Sequence, residues 1–130
     1  VAGIDVGESY GSPVGTQLFT ALHTELTTAR GYSPRPVLLG RSRGGLQLLS
    51  WAATHPDRVA AFAGIYPVCN LTNYPGVGKA APAFGLTPAE LGATLHTHNP
   101  IDRLAPLAAL TTISLVAPTV WAQQAAASDD

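Results

Sequence analysis

Twenty residues in the first half of the chain constrain the rest: residues 35–54 read R-P-V-L-L-G-R-S-R-G-G-L-Q-L-L-S-W-A-A-T. A short apolar run at 37–39 meets Gly40-Arg41-Ser42-Arg43-Gly44, and a helix-like run with Leu46, Leu49 and Ala53 on one face follows at once. Apolar strand, glycine-flanked serine, then helix is the context of a G-x-S-x-G nucleophile elbow. A serine at the tip of so tight a strand-to-helix turn holds a strained backbone, and side chains two residues either side would collide. Gly40 and Gly44 are expected to remove those clashes. The helix start would aim free N–H groups and its positive dipole end at the serine, where negative charge develops in acyl transfer. The same five residues also fit an ordinary glycine-rich turn; the strand before and the helix after favour the elbow, with Ser42 as nucleophile.

Bulk properties set the frame around this segment. The chain has 130 residues, 46% of them apolar and 12% charged, which is one domain's worth of sequence with enough apolar side chains for a core. A net charge of −1 and seven scattered lysines and arginines provide no basic stripe, so no nucleic-acid partner is expected. Cys69 is the single cysteine, which excludes an internal disulfide; beside Pro67 and Val68 it reads as a small buried residue. No metal-ligand cluster accompanies it, and no cofactor is expected. The chain opens at Val1 inside an apolar run and contains no methionine, which leads to the expectation of a piece of a longer protein.

In chain order, residues 1–6 are a strand candidate, closed by a loop of turn residues at 7–13. From about Thr16 to Arg30, Leu18, Leu22, Leu26 and Ala29 recur at helical spacing, and Gly31 is the natural stop. Pro34 and Pro36 fence off the strand at 37–39. The following helix should end near Thr54 and His55, because Pro56 cannot continue it, and residues 59–65 form a continuous apolar strand. Alternating strands and helices predict an α/β fold with a mostly parallel sheet and flanking helices. Residues 66–84 read as a loop or cap insertion. Thr87-Pro88-Ala89-Glu90 is a helix start with an N-cap, a proline at the first position and a capping box, with Leu86 and Leu91 placed for a hydrophobic staple. That helix should stop before Asn99-Pro100. Residues 104–128 carry no charge; 111–116 fit a fourth strand, and a loose tail follows. Pro106, Pro118 and scattered Thr, Ser and Gln argue against a membrane anchor there.

Three segments, G-I-D-V-G-E-S-Y-G-S-P, V-L-L-G-R-S-R-G-G and W-A-A-T-H-P-D-R-V-A-A-F-A-G-I-Y-P-V, together resemble the middle of an α/β-hydrolase, most nearly bacterial esterase-like or prolyl-oligopeptidase-like members. The resemblance runs from Val1 to about Leu107. It implies an incomplete α/β-hydrolase domain over 1–116, a small cap segment at 66–103, and an irregular tail at 117–130. It also implies a serine hydrolase acting on an ester or peptide-like carbonyl of a small-molecule substrate, with Ser42 as nucleophile and the Arg43 backbone N–H as an oxyanion donor. The family's acid and base do not carry over. Residues 114–121 hold no carboxylate where the acid is expected, and no histidine follows His98, whereas the triad order is serine, acid, histidine. Without a base the serine hydroxyl is a poor nucleophile, so this chain alone is expected to be inactive. A non-catalytic fragment or interaction module is the alternative.

Other candidates have bland explanations beside the chemical ones. His98 is a substitute base only if the cap folds over Ser42. His96 and His98 lack a third metal ligand. His23 should pack beside Phe19 and Leu26, and His55 should serve the helix C-terminus. Asp102 reads as structural; Asp5 and Glu8 could pair with Arg41 or Arg43, and those arginines could instead meet an anionic substrate group. In the resembled family a strand lies between the one matching residues 1–6 and the elbow strand. Further chain segments are thus expected to complete the sheet, and the chain alone should be marginally stable.

Overall fold

A computed structural model describes residues 1–110 and 113–116. In chain order its elements are α1 (Pro13–Thr24, prolonged by a wider π-type turn over Glu25–Ala29), β1 (Val37–Arg41), α2 (Gly44–Thr54), β2 (Ala61–Ile65), α3 (Val77–Ala80), α4 (Pro88–Ala93), α5 (Leu95–His98) and β3 (Ile113–Val116). The strands pair in the order β1-β2-β3, all parallel, with Val37 opposite Ala61, Arg41 opposite Ile65 and Phe62 opposite Ile113. Parallel strands joined through helical segments make this an α/β fold. The tail expected at 117–130, the position expected for an acid after β3, and the first residues of the expected strand 111–116 lie outside the described residues.

Helix α2 is the centre of the packing. Its residues 45–53 are all buried, so the expectation of a single apolar face carried by Leu46, Leu49 and Ala53 is corrected. A helix surrounded on every side belongs inside a layered core, and its neighbours differ from end to end. Leu48, Leu49, Trp51 and Ala52 join Leu38, Val59, Phe62 and Leu107 in the main core. Leu46, one turn from the helix start, instead packs with Tyr10, Val68, Leu71, Ala80, Ala81 and Leu91, which come from the loop before α1 and from the cap segment.

Residues 1–6 are not a strand. They are mostly exposed and lack a ladder partner, and the Gly7 N–H donates to Asp5 Oδ1 at 2.8 Å in a local turn. An extended run without a neighbouring strand has nowhere to place its backbone groups except water. β1 consequently forms the sheet edge among the described residues, with Val37 64% and Leu39 59% exposed on the face opposite Leu38.

α1 begins at Pro13, three residues before the expected start, with the proline at its first position, where no N–H is needed. Its inner side is formed by Gly15, with Phe19 and Thr20 partly buried, while Leu18 and Ala29 face out. Of the residues picked out by the apolar spacing, Leu22 and Leu26 are partly buried as well. Trp51 Nε1 on α2 donates to Thr20 Oγ1 at 3.0 Å.

The cap segment is more ordered than the loop expected over 66–84, since α3 and a 3-10 turn, Ala81–Phe84, occupy its second half. The capping box of α4 is present in full. Glu90 N–H donates to Thr87 Oγ1 at 3.2 Å, and Thr87 N–H donates to Glu90 Oε2 at 2.8 Å, which holds the Glu90 carboxyl below its usual range. A break at Thr94 separates α5, which ends at His98, before Asn99-Pro100 as expected. Buried Asn99 then ties the cap together: its Oδ1 accepts from Leu71 N–H, and its Nδ2 donates to Asn70 Oδ1 and Asp102 Oδ2.

Close packing around the turn falls on different glycines from those the motif suggests. A Cβ on Gly40 would stand 2.9 Å from the Phe62 ring, so that expectation holds. At Gly44 it would meet open space, whereas at Gly45 it would lie 2.5 Å from the Val68 carbonyl oxygen and 2.8 Å from Pro67 Cβ. Gly45→Ala is expected to cost about 1–3 kcal/mol by overpacking. Gly44→Ala, in the first turn of α2, should be neutral or stabilising by less than about 1 kcal/mol. Urea unfolding midpoints of the two variants separate these outcomes; equal losses would contradict the assignment.

Candidate active site

The chain leaves β1 at Arg41 and reverses through Ser42, whose φ of +49° is in the left-handed region. That region costs an L-residue roughly 1–2 kcal/mol. Three backbone hydrogen bonds hold it there. Ser42 N–H donates to the Ile65 carbonyl at 3.0 Å, and the Ser42 carbonyl accepts from Gly45 N–H at 3.0 Å and Val68 N–H at 2.9 Å. The bend is thus fixed to the end of β2, to the first turn of α2 and to the stretch after Tyr66. Tyr66 has the same left-handed bend, φ +48°, one position beyond Ile65, the register partner of Arg41. Two adjacent parallel strands therefore end in two neighbouring strained residues, at the carboxyl edge where sheets of this class place ligands.

Ser42 is exposed, and its hydroxyl bonds to none of the described residues. Arg43 follows in right-handed conformation as the N-cap of α2, and its N–H donates to no described carbonyl. A free N–H next to the serine, at the positive end of an eleven-residue helix, is suitably placed in sequence to receive a developing oxyanion. The Arg43 side chain pairs with Glu8 at 3.6 Å, one of the pairings expected from the sequence, and Lys79 reaches the same carboxylate oxygen at 3.7 Å. Glu8 is the main reason that the Lys79 ammonium lies above its ordinary range. Such exposed pairs contribute little to stability. Asp5 accepts from the Gly7 N–H and makes no ion pair among the described residues.

The structure does not bring the histidines to the serine. His23 and His55 flank Trp51, with ring centroids 5.4 and 5.0 Å away; His23 Nε2 meets the Pro34 carbonyl and His55 Nδ1 the Trp51 carbonyl. Trp51 lies seven residues into α2, roughly 10 Å along its axis from the turn. His96 is exposed in α5. His98 packs edge-on against Phe84 at 5.2 Å, lining a cleft of about 260 Å³ with Thr16, Ser50, Thr54 and Arg103. Partial burial, then Arg103 and His96, hold its pKa below the usual histidine value. Cys69 is half-buried, and burial raises its thiol pKa, as expected of a packing residue. Among the described residues no group of three His, Cys, Asp or Glu side chains could hold a metal ion, and no helix is long and apolar enough to cross a membrane.

A second cleft, of about 270 Å³, opens beside the turn between residues 4–7, Ser9 and Tyr10 on one side and Arg41, Arg43, Gly44 and Gln47 on the other. Ser9, Tyr10 and Gln47 were not singled out from the sequence. The available signal was Gln47 itself, one amide inside L-Q-L-L where the helix is otherwise apolar. Compared with the known protein families, with curated proteins and with solved structures, the chain finds no match.

Two outcomes test this geometry. Ser42→Gly relieves a left-handed strain of about 1–2 kcal/mol and adds roughly 0.4–1 kcal/mol of unfolded-state entropy, so urea unfolding should show a small net gain in stability. Ser42→Ala, still left-handed, should not gain. For His98, the lowered folded pKa means that its contribution is full above the unfolded value of about 6.5 and is lost as pH falls through the folded pKa. The His98 ring should titrate below a model histidine by NMR, and His98→Gln should flatten the stability profile in that window.

Proposed function

We propose that this chain carries the nucleophile-bearing part of an α/β-hydrolase-type serine hydrolase, directed at an ester or peptide-like carbonyl. The supporting observation is Ser42: exposed, left-handed, and held between a parallel strand and the start of a buried helix. In this reading Ser42 Oγ attacks the carbonyl carbon and the Arg43 N–H receives the oxyanion. The intermediate collapses as the alcohol or amine leaves carrying the proton lost by the serine. Water then hydrolyses the acyl-serine ester to free acid and restored hydroxyl.

Among the described residues no general base stands beside Ser42. Proton transfer from Ser42 needs an acceptor within about 3 Å, and the described histidines are engaged around Trp51, against Phe84 or in solvent. This observation favours a second reading, in which the chain by itself is non-catalytic. Loss of triad members removes several orders of magnitude in rate.

Incubation with a fluorophosphonate probe followed by peptide mass spectrometry tests the first reading. Slow labelling confined to Ser42 and absent in Ser42→Ala is the expected result; labelling elsewhere, or none on a folded sample, removes it. Turnover of p-nitrophenyl acetate that is lost in Ser42→Ala would overturn the non-catalytic reading.

A further inference from the structure

We infer that the cleft beside the serine turn binds a small oxyanion, a carboxylate or phosphate-type group, received by Arg41, Arg43 and Gln47. Its volume, about 270 Å³, lies just under the roughly 300–1,000 Å³ of pockets that enclose a drug-sized ligand, so it accommodates one end of a ligand.

The chemistry of the lining is weighted toward donors. Gln47 is only 4% exposed, yet its Nε2 has no hydrogen-bond partner among the described residues. The other end of the amide is occupied, since Gln47 Oε1 accepts from Ser9 Oγ at 2.8 Å, and this leaves the NH₂ group over. A buried donor without a partner costs about 1–3 kcal/mol, which a ligand acceptor reaching it would recover.

Charge points the same way. Arg41 is exposed and forms no ion pair among the described residues, and the start of α2 adds its dipole. The carboxylates nearby are already engaged: Asp5 with the Gly7 N–H, Glu8 with Arg43 and Lys79. Three cations against two carboxylates leave a positive excess around the cleft. Guanidinium groups favour planar or tetrahedral oxyanions through paired N–H···O bonds, which a neutral amide or ketone does not reproduce. The role of the site, holding the anionic end of a substrate whose carbonyl faces Ser42, rests on the serine-hydrolase proposal. Anion binding itself does not.

The test is isothermal titration of the full chain with succinate and, separately, with inorganic phosphate, at matched ionic strength against chloride. One site per chain is expected, about tenfold or more weaker in Arg41→Gln and in Gln47→Leu, and unchanged in Ser42→Ala. Circular dichroism checks each variant; Arg41→Gln alters an exposed side chain and carries the test if Gln47→Leu does not fold. Binding of succinate alone assigns a carboxylate, and binding of phosphate alone a phosphoryl group. Binding of neither, or affinity unaltered in Arg41→Gln, overturns the site. Anion binding without probe labelling at Ser42 removes only the hydrolase reading, and labelling without anion binding removes only this one.

Discussion

A single backbone oxygen holds the centre of this molecule in place. The Ser42 carbonyl accepts from both Gly45 N–H and Val68 N–H, joining the exit of β1, the first turn of α2 and the chain beyond β2. With the Ser42 N–H bonded to Ile65, three hydrogen bonds of about 0.5–1.5 kcal/mol net each stand against a left-handed serine costing roughly 1–2 kcal/mol. The bonds win, but only while Val68 can approach. That approach depends on the missing side chain at Gly45. Strand end, bend and helix start are one arrangement.

Much of it was legible because it is local. The strand, the span of α2 ending at Thr54 and the capping box of α4 each depend on residues within a few positions of one another. What was not legible depends on distant partners. Spacing favours Gly44, but the steric demand at Gly45 comes from Pro67 and Val68, more than twenty residues on. Gln47 and Ser50 break the apolar run of α2 and suggest a wet face, yet both are buried under the loop and helix that precede β1. Residues 1–6 have the composition of a strand and no strand beside them. His55 closes α2 as its position before Pro56 suggested, whereas the surroundings of His23 and His98 follow from Trp51 and Phe84, distant in sequence.

Chemically the molecule divides into two sides of α2. At the helix start are the strained serine, a free N–H, two arginines and the orphaned amide of Gln47. Farther along lie the imidazoles, one of them with its charged form disfavoured. Nucleophilic attack needs a hydroxyl and a proton acceptor side by side, and among the described residues the serine and the imidazoles lie apart.

Leu46 has a consequence for how the serine's mounting moves. It extends from the first turn of α2 into the cluster of Leu71, Ala80 and Leu91, while the rest of the helix is anchored in the sheet. Fluctuations of the cap segment should therefore loosen the front of α2 before its back. Amide exchange at Gly45 and Leu46 would then keep pace with the cap and not with β2, placing the start of α2 in the more readily opened cooperative unit.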